Sequence, residues 1–299
     1  MSDPRRRVLP WTLALVVGAN GCAPLNLPFP TLGGRQLWAD ERVDCGWRIQ
    51  RHAWTGHHRL LSPRDVRWAW GDYARCEAAL TAELAAAALE PRSSHAVVLL
   101  HGMIRSRASL SAIERRLSAE GYEVLSVGYP STAGTVSEHA AQLSRVLQRA
   151  RGVERVSFVT HSLGALVLRT CLAEAEAPWR EGLAVERAVM LFPPNQGAHL
   201  AERWGDTWIY RLGGPCGQTL RPREAREVPP PSVPFVVLAG GRGDGEGRNP
   251  RIPGDDDGTV AVSEAYYPGA EAFEVLDAGH TFGMNDPGVL EAIASHLGR

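Results

Sequence analysis

The 299-residue chain contains no lysine, so its 32 basic residues are all arginine. That absence removes Schiff-base chemistry and the phosphate-binding lysine of a Walker loop. Neither sign of charge is in excess. The 33 acidic residues leave a formal net charge of −1, which argues against a nucleic-acid partner, since such proteins usually carry a basic surplus. No apolar run reaches the ~20 residues of an ordinary membrane span. There are five cysteines and no C-x-x-C pair, so zinc-site and thioredoxin-like readings lack support. What is present is a chain 44% hydrophobic and 22% charged, long enough for one large packed core and too apolar for disorder.

The N-terminus has the grammar of a targeting segment. Arg5, Arg6 and Arg7 are followed by a stretch from Val8 to Ala19 that is apolar apart from Pro10 and Thr12. Small residues, Gly18-Ala19-Asn20-Gly21, then lead to Cys22. Charge, short apolar core and small-residue cleavage site come in the order of a secretory signal. Ala19-Asn20-Gly21-Cys22 resembles the bacterial lipoprotein box, with Ala19 where leucine is usual. The resemblance implies that Cys22 is lipidated and becomes the mature N-terminus. Residues 1–21 are therefore expected to be a lipoprotein-type signal peptide. The protein is expected to be exported, as a periplasmic or outer-membrane lipoprotein held to the membrane by a lipid anchor on Cys22. Cys45, Cys76, Cys171 and Cys216 would remain, enough for two disulfides in an oxidising compartment. Cys171, among apolar neighbours on a predicted helix, reads as a buried free thiol.

Residues 22–94 read as a tether followed by a helical, Trp-rich extension. Pro and Gly are frequent over residues 23–40, and the pattern from Ser62 to Leu89 predicts a helix started by Ser62-Pro63. Trp38, Trp47, Trp54, Trp68 and Trp70 crowd this part, which predicts an accessory layer that packs on something. His52, His57 and His58 read as surface histidines and not as a metal site. Residues 95–299 then alternate strand and helix. Strands are predicted at Val97–Leu100, Glu123–Val127, Val156–Thr160, Ala188–Leu191, Pro234–Leu238 and Phe273–Leu276. Helices are predicted at Ala108–Glu120, Val136–Ala150, Ser162–Glu174 and Asp286–Leu297. This alternation specifies an α/β fold, a mostly parallel sheet with helices on both faces. A cap or lid insertion is expected at about 195–232, with Trp204, Trp208 and Tyr210, because the interval is too long for a plain connection.

The chemistry centres on Thr160-His161-Ser162-Leu163-Gly164, between a strand and a helix. A nucleophile elbow needs that placement, a sharp turn that lifts one serine hydroxyl off the sheet edge, with small residues around it. The Leu163 N–H at the helix start would face a developing oxyanion. In such folds the loop after the first strand supplies a second donor, by position Met103, while His101 beside it reads as structural. His280 lies in a short turn after the last predicted strand and fits the general base. Asp255, Asp256 and Asp257 compete for the acid. Asp257 is preferred, because it precedes Gly258 and a short predicted strand at Val260–Val262, and its two neighbours are expected to be dispensable. Three consecutive aspartates do not supply the alternating ligands of a calcium loop.

Over residues 96–299 the chain resembles the bacterial lipases and carboxylesterases of the α/β-hydrolase superfamily. The resemblance rests on His101-Gly102, Tyr129-Pro130-Ser131-Thr132, His161-Ser162-Leu163-Gly164, Pro194-Asn195-Gln196-Gly197-Ala198, Gly214-Pro215-Cys216-Gly217-Gln218, Asp257-Gly258-Thr259-Val260 and His280-Thr281-Phe282. It departs at Thr160 and Ala165, where glycines are common. It implies a Ser162–Asp257–His280 triad and a serine hydrolase that cleaves carboxylic esters of small-molecule or lipid type through an acyl-enzyme, with no metal or organic cofactor. Two alternatives stand beside it: an acyltransferase with the same triad, and a catalytically silent hydrolase-fold binding protein of the cell envelope.

Overall fold

Strands of five to eight residues with apolar stretches recur from residue 95 onward, and in a computed structural model they join into one sheet. The structure describes residues 29–31, 36–204 and 214–298. The signal-like segment with Cys22, and Trp208 and Tyr210 of the expected lid, lie outside the described residues. The main-sheet strands are β6 (His95–Leu100), β7 (Glu123–Val127), β8 (Arg155–His161), β9 (Ala184–Leu191), β10 (Phe235–Gly241) and β11 (Ala272–Asp277). They lie in the order β11-β10-β9-β8-β6-β7, and every pairing is parallel. The six strands and four helices predicted to alternate through this region are present, so the expected α/β class holds.

Successive side chains on a strand point to opposite faces, and here both faces are covered. Val97 and Leu99 of β6, with Val159 and Val189, pack on one side against Ile113 and Leu117 of α2 (Ser111–Ala119) and Val289 and Ile293 of α9 (Pro287–Leu297). Val98, Leu100, Phe158 and Met190 pack on the other side against α3 (Val136–Gln148) and α4 (Leu163–Ala173). Two-sided burial is why these strands read as unbroken apolar runs. Thr135 and Glu138 start α3 with reciprocal cap bonds of 3.2 and 2.7 Å.

The N-terminal extension corrects the helical reading. It is a five-stranded antiparallel sheet, with the order β1-β5-β4-β3-β2. Its strands are β1 (Phe29–Pro30), β2 (Trp38–Asp44), β3 (Trp47–His52), β4 (His58–Leu61) and β5 (Val66–Gly71). One helix, α1 (Tyr73–Ala86), lies against it. The helix starts eleven residues later than Ser62 because Asp72, not Ser62, caps it, accepting from the Arg75 N–H at 2.8 Å. Ser62 and Pro63 instead form the β4–β5 turn, where the Asp65 N–H donates to the Ser62 carbonyl at 2.9 Å. Residues 38–40, assigned to the tether, begin β2. Trp47, Ile49, Leu60 and Ala69 pack against Cys76, Leu80 and Leu84, so the expected accessory layer exists. Trp54 remains exposed. The four described cysteines are free thiols, and the two disulfides that their number permits do not form.

The second face of this small sheet is polar and buried against the main domain. The Asp40 carboxylate accepts from Arg48 (2.8 Å), Gln50 (2.7 Å) and the Gly128 N–H (2.6 Å). Arg48 also donates to the Ser126 carbonyl at 2.6 Å, and the Asp40 N–H to the Gly128 carbonyl at 2.9 Å. These bonds tie β2 and β3 to the end of β7. Beside them, Arg145 and Arg149 of α3 reach Glu41 at 3.0 and 2.9 Å. Burial pushes the Glu41 carboxyl up, but the two arginines outweigh it and hold it below its ordinary value. Removing one member of a fully buried ion pair strands the other charge. Asp40→Ala is therefore expected to destabilise the protein by about 3–5 kcal/mol, measured by urea unfolding. A loss below about 1 kcal/mol would show that Arg48 finds water or another partner.

Candidate active site

The end of β8 runs directly into α4, and Ser162 is the joint. Its φ of +53° and ψ of −122° put a non-glycine residue in a sparsely allowed region, where backbone strain marks functional sites. The surroundings hold it there. The Ser162 N–H donates to the Leu191 carbonyl at 2.9 Å. Two residues on, a Cβ at Gly164 would stand 2.7 Å from the Leu100 carbonyl oxygen, so only glycine lets α4 cross β6 so closely. Thr160 is fully buried in β8 and fits without its usual glycine, and Ala165, also fully buried, fits within α4.

His280 and Asp257 arrive from two other strand ends. His280 follows β11, and its N–H donates to the Asp257 carbonyl at 2.8 Å. Its Nε2 lies 2.9 Å from Ser162 Oγ, and its Nδ1 lies 2.7 Å from Asp257 Oδ2. Since the carboxylate only accepts, Nδ1 carries the proton and Nε2 is left to accept from the serine hydroxyl. Asp257 Oδ1 accepts from the Thr259 and Val260 N–H groups at 2.9 and 2.7 Å, so the buried carboxylate keeps three donors. The structure thus brings together Ser162, Asp257 and His280, which the sequence separates by up to 118 positions.

The segment after Asp257 is not a strand. Asp256 and Ala261 form one isolated bridge, and helix α8 (Val262–Ala265) begins where the strand was expected. Asp256, one of the two neighbours expected to be dispensable, has a structural part in this loop. It is fully buried and accepts from the N–H groups of Arg248, Asn249 and Gly258 at 3.1, 3.1 and 2.6 Å. Asp255 accepts from the Arg242 and Gly243 N–H groups, both at 2.8 Å. Each of the three aspartates is used, and two of them fold the loop that presents the third.

Leu163 is the first residue of α4, where helix N–H groups have no partner within the helix and the dipole favours negative charge. Met103 lines the same cavity as Ser162. The loop carrying it is held from below. Ile104 has φ +59°, unusual for a β-branched residue, and its N–H donates to the buried Ser131 Oγ at 2.9 Å. Gln36 of the N-terminal layer donates to the Arg105 carbonyl at 2.7 Å and accepts from Thr132 N–H and Oγ1 at 3.1 and 3.0 Å. The sequence offered no signal for these contacts, nor for the bond of His161, whose buried Nε2 donates to the His280 carbonyl at 3.0 Å.

The cavity beside Ser162 measures about 190 Å³. Among the described residues the expected insertion includes the short helices α5 (His199–Trp204), α6 (Cys216–Thr219) and α7 (Pro222–Glu227). Ala198, Leu200 and Leu220 from this stretch line the cavity with Val260. Arg169 of α4, fully buried, donates to the Asn195 and Pro229 carbonyls at 3.1 and 3.0 Å and so ties both ends of the insertion to the elbow helix. Among the described residues, no group of three or more His, Cys, Asp or Glu is placed to hold a metal ion.

Comparison with known proteins adds the fold. Residues 62–210 match the model of a domain of unknown function, DUF7379. The search of curated proteins found no match. Among solved structures, the mature form of the lipase BlEst2 of Bacillus licheniformis is similar, with a TM-score of 0.53 and 19% identity over 67% of this chain and 90% of that one. Its propeptide form aligns with a TM-score of 0.56 and 18% identity over 68% of this chain and 51% of that one. The chain has the α/β-hydrolase fold, which it shares with these lipase structures.

His101 beside the site is structural in its contacts. Its Nδ1–H donates to the Gly102 carbonyl at 2.8 Å, its Nε2 accepts from the Tyr129 N–H at 3.3 Å, and its ring stacks on Tyr129 at 4.1 Å. Burial pushes its pKa down to about 4. In the unfolded chain the same group takes its proton near 6.5. Stability is therefore complete above pH 6.5 and is lost as the pH falls towards 4, on the order of 3 kcal/mol from this residue. Urea unfolding at pH 7 and pH 4.5 should show a larger loss in wild type than in His101→Asn. Equal losses would mean that His101 is not held neutral.

Proposed function

We propose that the protein is a serine hydrolase of carboxylic esters, of lipase or esterase type. The observation that carries the reading is the unbroken chain from Ser162 Oγ through His280 to Asp257, at 2.9 and 2.7 Å, on a strained elbow that opens into an apolar cavity. His280 Nε2 takes the Ser162 proton as Oγ attacks the ester carbonyl. Asp257 keeps the imidazole tautomer and balances its charge without taking a proton itself. The oxyanion forms between the N–H groups of Met103 and Leu163. His280 then protonates the departing alcohol, the acyl group stays on Ser162, and a water deprotonated by His280 releases the acid. The chemistry uses no metal or organic cofactor. The apolar wall of Ala198, Leu200, Leu220 and Val260 suits the acyl chain of a small-molecule or lipid ester.

The test is turnover of p-nitrophenyl esters of increasing chain length, with fluorophosphonate labelling of the serine. Ser162→Ala should abolish labelling and lower kcat by about 10⁵- to 10⁶-fold, because the triad acts as a unit. Asp257→Asn should lower kcat by about 10⁴-fold with the fold intact, through the wrong His280 tautomer. Near-normal turnover in either variant would refute the assignment.

The lipoprotein-like box supports export and a lipid anchor on Cys22, which would hold the hydrolase at a membrane surface. Two or more acyl chains anchor firmly where one binds marginally. Wild type should fractionate with membranes and Cys22→Ala should not. A soluble wild type with an unmodified mature N-terminus would replace the anchor with plain secretion.

A further inference from the structure

None of the described residues lining the cavity beside Ser162 is acidic, and one of them, Arg105, is a permanent cation. Burial holds His161, on the same wall, well below its ordinary pKa, so it is neutral and adds no charge. Among the described residues Arg105 forms no ion pair, whereas Arg48, Arg145, Arg149 and Arg151 of the seam each meet a carboxylate. Its guanidinium carbon stands 5.9 Å from the centroid of the Phe282 ring, which is itself 74% exposed. The backbone beneath it is fixed, with its carbonyl bonded by Gln36 at 2.7 Å and its neighbour Ile104 by Ser131 at 2.9 Å. A guanidinium at a cavity wall with no carboxylate partner among the described residues is positioned for an anion from outside.

The side on which it stands decides which part of the substrate carries that anion. The departing alcohol takes its proton from His280, so it lies towards His280. Phe282 is two residues beyond His280 in the same turn, and Arg105 leans towards Phe282. Leu200 and Leu220 come from the insertion and leave the acyl chain an apolar wall.

We propose, on the basis of the ester-hydrolase reading above, that the preferred substrates are esters whose alcohol carries an anion a few atoms from the ester oxygen, and that Arg105 binds it. A phosphate and a carboxylate share the required chemistry, since each offers two oxygens to the guanidinium fork. In the reaction the acyl C–O bond breaks and the alcohol leaves with the His280 proton and its own anion. Water supplies the oxygen of the released acid.

The experiment compares three butyryl esters: of glycerol 3-phosphate, of 3-hydroxypropanoate and of glycerol. For each variant the readout is the ratio of kcat/KM for an anionic ester to that for the neutral one. Wild type should favour at least one anionic ester by roughly 10- to 100-fold, as expected for hydrogen bonds to a charged group. The phosphate and carboxylate arms show which anion fits. Arg105→Gln should reduce that ratio at least tenfold, mainly through KM, and Arg105→Lys should restore part of it. Calorimetric titration of Ser162→Ala with the same esters reads binding without turnover. There the anionic ester should bind about tenfold tighter than the neutral one, and Ser162→Ala with Arg105→Gln should lose the difference. Equal binding of charged and neutral esters, or a ratio unchanged by Arg105→Gln, would overturn the anion site. Discriminating binding with no turnover of any ester by wild type would instead refute the hydrolase and leave the anion site standing.

Discussion

A methyl group at Gly164 would lie 2.7 Å from the Leu100 carbonyl oxygen, and the close crossing of α4 over β6 that this reports is the constraint on which the site depends. It brings the first turn of α4 next to the loop that leaves β6. Ser162 must turn sharply to connect the two elements, and it does so at φ +53°. Strain of this kind costs on the order of 1–3 kcal/mol and persists only where the surroundings over-determine it. Here they do, through parallel pairing of β8 with β6 and β9 and burial of nearly every α4 side chain. The same crossing puts the Leu163 N–H and the Met103 loop on one side of the serine.

The parallel sheet also explains how distant residues meet. All six strands end on the same edge, so the turns after β6, β8, β10 and β11 share one rim. Ser162, His280 and the loop bearing Asp257 come from three of those turns. That loop is built from carboxylates accepting backbone N–H groups, with Asp255 holding its start and Asp256 its middle. An aspartate run that looks like a solvated turn is thus an internal scaffold. Buried carboxylates of this sort are stable because several donors replace the lost water.

The N-terminal layer joins the main domain chiefly through buried polar and charged groups, with Val43 of β2 reaching into the main apolar core. Asp40, Arg48, Gln50 and Arg59 are all buried and bonded to one another. Such a seam adds little net stability compared with an apolar one, because desolvation offsets the attraction. Its hydrogen-bond geometry does fix orientation. Gln36 uses that orientation to brace the loop at Arg105, and Arg107 of the same loop region meets Asp65 of the β4–β5 turn. The layer therefore supports one wall of the cavity from outside the main domain.

The sequence alone determined the α/β core, because the central strands β6, β8, β9 and β10 are buried over much of their length and appear as apolar stretches with helical stretches between the strands. It also determined Ser162 and His280 as candidates, since a strand–Ser–helix joint and a histidine after the last strand are local patterns. Asp257 was legible only as one of three neighbours, and the choice needed the His280 bond and the two backbone donors that the fold supplies. The extension was misread because its strands are short and carry Asp40, Arg48, Gln50 and Arg59 on their inner face. A buried polar face looks like a solvated one until its partners are known. Arg105 and Gln36 carried no signal, and Ser131 and His161 stood out only as members of motifs, with no hint of their contacts. Their roles come from contacts between segments as much as 119 residues apart, and only the tertiary structure decides such contacts.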